Sequence, residues 1–128
     1  IRAWKHNGNL HKGIEGFFQE REPVRLTLRT IGTFGGVHAE REKIYLFENP
    51  AVFSVFVKKY PDCAAICGNG QPRLATLLLL DFLKENHSFY YHGDFDPEGL
   101  LIAQRFGMEK VSVSGITGQT GMKDICRM

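Results

Sequence analysis

From residue 23 onward, short apolar runs alternate with segments in which apolar residues recur at helical spacing, and the two periods predict a sheet interleaved with helices. Residues 24–30, VRLTLRT, alternate apolar and polar positions as a strand with one covered face does, and are expected at the edge of the sheet. A Gly-rich turn over residues 32–36 follows. KIYLF, CAAIC and SFYYHG are nearly continuous in apolar residues, which is the pattern of strands buried on both faces, and KVSVSGI reads as a fourth. Between them, Val52, Phe53, Phe56 and Val57 mark a helix over residues 50–60, and further helices are expected from Pro72 to Glu85 and from Pro97 to Phe106. Buried strands and helices alternating through short connections predict an α/β fold, a parallel sheet of about four strands flanked by helices, with an extra N-terminal edge strand.

The first 22 residues are polar and Gly-rich with little periodicity, and the chain opens Ile-Arg-Ala-Trp. The expected organisation is an N-terminal extension or linker over 1–22, belonging to a longer protein, followed by one domain over 23–128. With 128 residues, 43% of them hydrophobic and 23% charged, the composition is that of a folded domain and excludes disorder. A net charge of +2 permits a DNA partner without requiring one. The longest apolar run, LATLLLL, is far too short to span a bilayer, so a cytoplasmic protein with no membrane association is expected. Cys63, Cys67 and Cys126 form no C-x-x-C pair, so reduced thiols are expected, neither a zinc site nor a disulfide framework.

All three strand-to-helix junctions carry a proline: Glu48-Asn49-Pro50, Gly70-Gln71-Pro72 and Asp94-Phe95-Asp96-Pro97. Proline suits the first helical position because its missing N–H would be unpaired there, which places Asn49 and Asp96 at helix N-caps. Capping accounts for Asp96 but not for Glu48 or Asp94, which precede the cap. In an open parallel sheet, ligands bind beyond the carboxyl ends of the strands, where these junctions lie. Three converging carboxylates would repel one another without a cation between them. Hard divalent cations such as Mg²⁺ or Mn²⁺ take such oxygen ligands together with waters and a phosphate. Asp94 and Asp96 are expected to serve as metal ligands, and Glu48 either completes the shell or acts as general acid or base in phosphodiester chemistry.

A strand ending in Glu48, followed further along by Asp94-x-Asp96 and Gly99, resembles a Toprim domain over residues 43–116. Gly68-Asn69-Gly70-Gln71-Pro72 resembles the glycine-proline loop of topoisomerase VI A subunits and meiotic double-strand-break proteins, and Asp94-Phe95-Asp96-Pro97-Glu98-Gly99 their Asp-x-Asp-Pro-x-Gly helix. Glu48-Asn49-Pro50-Ala51-Val52-Phe53 with Tyr91-His92-Gly93-Asp94 is closer still to a bacterial C-terminal Toprim family of unknown function associated with Wadjet-type plasmid defence. The resemblance implies a Toprim-like (Rossmann-like) fold and a metal-dependent DNA nuclease acting through Glu48, Asp94 and Asp96. It also implies Mg²⁺ or Mn²⁺ as cofactor, with DNA, the remaining domains of a parent protein and an SMC-like defence complex as partners. Topoisomerases of this branch need a nucleophilic tyrosine on a separate domain. Tyr45, Tyr60, Tyr90 and Tyr91 all sit in or beside expected core elements, which favours hydrolysis over strand passage.

Around that centre, backbone N–H groups from Gly68 through Gly70 and Gln71, with Arg73, are candidates to hold a phosphate at a helix start; a simple chain-reversing turn explains the same glycines. His92 is a candidate to orient a phosphate or carboxylate, or a hydrogen-bonded histidine closing a strand. Two other functions fit the same residues: a noncatalytic metal- or nucleotide-binding assembly module, and a topoisomerase- or primase-type fragment.

Overall fold

The computed structural model describes residues 1–69, 73–93 and 96–111. The chain forms two compact units. The first comprises β1 (Arg2–Lys5), α1 (Lys12–Glu20), α2 (Leu28–Gly32), β2 (Phe34–His38) and α4 (Arg73–Leu83); the second comprises β3 (Lys43–Phe47), α3 (Pro50–Lys59), β4 (Ala64–Cys67), β5 (Ser88–His92), α5 (Pro97–Arg105) and β6 (Glu109–Lys110).

In the first unit, β1 and β2 form an antiparallel pair from Arg2↔His38 to Lys5↔Phe34, with an irregularity between Trp4 and Lys5. The stretch before Glu22, whose patterning predicts no element, thus holds a strand and a helix. α1 begins where His11 Nδ1 accepts from the Ile14 N–H at 3.2 Å, and ends at Arg21 in the left-handed region at φ 54°. The guanidinium of Arg2 donates to both Glu15 carboxylate oxygens, Nε to Oε1 at 2.8 Å and Nη2 to Oε2 at 2.6 Å, a forked pairing that ties β1 to α1. Helix α4 packs on β2 and α2, and Ile31, Phe34, Leu79, Leu80 and Leu83 are buried.

Residues 24–30 do not form the expected edge strand. Leu26 and Ile31 are buried while Leu28 is exposed, which breaks the alternation, and Thr27 caps α2 by accepting from the Thr30 N–H at 3.1 Å. A threonine that satisfies the local backbone this way competes with a strand ladder. The glycines read as a turn lie instead partly within β2. A Cβ on Gly35 would stand 3.0 Å from the Lys5 carbonyl oxygen and the His6 Cα, so a glycine is what lets the two strands close there.

The second unit is the parallel sheet, in the order β4-β3-β5-β6, with Phe47↔Cys67 and Phe47↔His92 as the last registered pairs on either side of β3. Ile44 to Phe47 are all buried, as a central parallel strand requires. On one face Tyr45 and Phe47 pack with Phe56 and Tyr60 from the α3 segment, with ring centroids 4.8 to 5.4 Å apart. On the other, Phe89, registered with Ile44, meets the ring of Phe106 edge-on at 5.9 Å, just past α5. Cys67 is a free thiol and Cys63 is partly buried against the aromatic core, while Cys126 lies outside the described residues. Of the expected last strand over residues 110–116, Lys110 lies in β6 (Glu109–Lys110) and Val111 just past it, and residues 112–116 lie outside the described residues, as does the tail over 115–128. No helix among the described residues is long and apolar enough to cross a membrane.

Candidate functional site at the end of β3 and β5

The chain leaves β3, runs through α3 to β4 on one side, and then crosses to β5 on the other. Strand order therefore reverses between β3 and β5, and the crevice beyond their carboxyl ends is the switch point at which open α/β sheets bind ligands. Glu48 is the first residue past β3 and Gly93 the first past β5. The Glu48 N–H still donates to the His92 carbonyl at 3.3 Å, so the ladder extends to the junction itself.

Two devices end the strands there. Asn49 Oδ1 accepts from the Ala51 N–H at 2.8 Å with Pro50 at the first helical position, so α3 starts directly after Glu48. At Gly93, φ is +127°, a conformation that residues with a side chain rarely adopt. The half-buried Glu48 side chain lies against that glycine: a Cβ built on Gly93 would fall 2.9 Å from both Glu48 Cβ and Oε2. Glu48 is thus carried to the switch point and seated over the residue that precedes Asp94 in the chain.

Asp96 performs the cap expected of it. Its Oδ1 accepts from the Gly99 N–H at 2.8 Å, its carbonyl accepts from Leu100 N–H at 2.9 Å, and Pro97 opens α5. Gly99 is buried in the first turn. Asp94 lies outside the described residues, as do Gly70 and Gln71 of the proposed phosphate loop. Gly68 spends its N–H on the Phe47 carbonyl at 2.8 Å, prolonging the β3–β4 ladder by one residue. Arg73 opens α4 in the first unit, while Glu48, Gly68, His92 and Asp96 belong to the second. Among the described residues, no three His, Cys, Asp or Glu side chains gather as a ligand set.

His92 takes the strand-closing role. Its Nδ1 is 3.1 Å from the Val111 carbonyl oxygen, which can only accept, so this nitrogen carries the proton, and the ring lies 6.1 Å from that of Phe47. Together with the Val111 N–H donating to the Tyr91 carbonyl at 2.8 Å, the contact fastens the end of β6 to β5. Tyr45 and Tyr60 are buried in the aromatic core, and burial, reinforced by Tyr90, raises the Tyr45 phenol above its ordinary pKa, the opposite of an activated nucleophile.

Gly93 is the site residue that patterning missed. Its signal was available: a glycine between the last residue of a buried strand and an acidic pair marks a close approach of something to the backbone. Sequence alone does not say that the approaching group is Glu48.

Residues 24–112 match the family described as "Protein of unknown function C-terminus (DUF2399)", and the chain belongs to that family. No curated protein and no solved structure was found to match it.

Proposed function

We propose that this member of the family is a Toprim-type domain that cleaves DNA phosphodiesters with the aid of a divalent cation, within a larger protein of the plasmid-defence type. The observation that carries the reading is the position of Glu48: a half-buried carboxylate that caps no helix among the described residues, seated at the β3/β5 switch point beside the glycine that leads into Asp94. Glu48 and Asp94, with Asp96, are the residues that would hold Mg²⁺ or Mn²⁺. The donor set fits such an ion, being all carboxylate oxygen, and the missing side chain at Gly93 leaves the room in which the Glu48 carboxylate sits. When bound, the cation supplies positive charge against the charge that develops on the phosphodiester.

The chain's own residues do the placing. Asn49 and Pro50 end β3 directly after Glu48, and Asp96 holds the first turn of α5 by its cap. The N-terminus of α5 presents its dipole to the same end of the sheet, which favours an anionic substrate there.

The test is metal-dependent nicking of supercoiled plasmid by the full-length protein. Nicking is expected in Mg²⁺ or Mn²⁺ and is expected to disappear in Glu48→Ala and Asp94→Ala variants that keep their far-UV circular dichroism. Wild-type nicking by both variants would end the nuclease assignment. Tight Mn²⁺ binding by a wild-type protein that never nicks would leave the noncatalytic assembly module in its place.

A further inference from the structure

We propose that Gly93 is a positioning residue for Glu48: the absence of a side chain at 93 forms the seat that holds the Glu48 carboxylate at the switch point. This rests on the reading of Glu48 as a metal ligand. Two independent features single out the position. Its φ of +127° excludes most side chains on backbone grounds. Separately, a Cβ there would stand 2.9 Å from Glu48 Cβ and Oε2 and 3.7 Å from Glu48 N. The contact with Oε2 alone would be relieved by a rotation of the flexible carboxylate. The contact with Cβ is not, because Cβ is fixed to the backbone of a residue whose N–H is bonded to His92 and whose neighbours are Phe47, in the core, and Asn49, in a helix cap. A side chain at 93 therefore requires either the Glu48 backbone or the backbone at 93 to shift, and either movement separates Glu48 from the end of β5. A displaced Glu48 carries its carboxylate away from the switch point at which the cation is proposed to bind.

The experiment is a double-mutant cycle on the full-length protein, read by Mn²⁺ binding (electron paramagnetic resonance of the free ion) and by thermal melting. Gly93→Ala is expected to weaken Mn²⁺ binding at least about tenfold, the scale on which groups that orient a ligand act. In a Glu48→Ala background, already weakened, the same change is expected to add nothing to the loss. Glu48→Gly removes the Cβ that Gly93→Ala would strike, so melting should show Gly93→Ala to be less damaging in that background than in the wild type. If Gly93→Ala alone fails to fold, the Glu48→Gly/Gly93→Ala double variant, which keeps the backbone strain of φ +127° but lacks the clash with Glu48 Cβ, is expected to recover part of the melting transition, and no recovery at all overturns the proposal. Mn²⁺ lost in Glu48→Ala but retained in Gly93→Ala overturns the positioning role and leaves the metal reading standing. Wild-type Mn²⁺ binding by Glu48→Ala removes the metal reading, and the positioning role with it.

Discussion

Truncating Phe56 to alanine tests whether the aromatic core under β3 is what holds the site in place. Phe56 is 2% exposed and touches three aromatic rings, with centroids at 4.8 Å to Phe47, 5.3 Å to Tyr60 and 5.4 Å to Tyr45. Returning a buried phenyl group to water is worth about 2–3 kcal/mol. The hole left among three rings, on strand and helix backbones that cannot collapse into it, brings the expected loss to about 3–5 kcal/mol. Against a typical domain stability of about 5–15 kcal/mol, that leaves the sheet close to its limit. Val55, the preceding residue on α3, is 60% exposed, so Val55→Ala is expected to stay within about 0.5 kcal/mol. Urea denaturation followed by far-UV circular dichroism measures both, with the change read in the midpoint at constant slope. A Phe56→Ala variant within about 1 kcal/mol of wild type would refute the packing described for this core.

Asn49→Ala should lower stability by about 1 kcal/mol in the same assay through loss of the α3 cap, while Mn²⁺ binding by the full-length protein is unchanged, because the Asn49 side chain is spent on the Ala51 N–H. Loss of Mn²⁺ binding there would mean that the junction acts on the site beyond simple capping. The hydrogen bond from Arg2 holds the Glu15 carboxyl below its ordinary pKa. Its contribution to stability is therefore present above the unfolded carboxylate value and is lost as pH falls through the folded one. The melting-temperature gap between wild type and Glu15→Gln should accordingly shrink from neutral pH to about pH 3; a gap that is constant or widens would count against the pairing.

The sequence by itself determined the parallel sheet and its junctions. KIYLF, AAIC and SFYYH are apolar runs too short and too uniform for amphipathic helices, and the prolines after Asn49 and Asp96 mark helix starts because they cannot donate a hydrogen bond. The caps of Asn49 and Asp96 were legible for the same local reason. Of the first unit, α4 was legible and the rest was not. β1 pairs with β2 across a long stretch of chain, and residues 24–30 carry a strand's alternation that the Thr27 cap overrides, a choice set by contacts distant in sequence and by a single hydroxyl.

At the candidate site the division is the same. The acidic residues and their places at strand ends can be read from the chain, because capping and burial are local properties. That β3 and β5 are neighbours, that strand order reverses between them, and that Glu48 rests on Gly93 follow from pairing between segments far apart in sequence. Only tertiary structure decides such pairing, since it depends on which hydrophobic strands cover one another and not on the residues at either end.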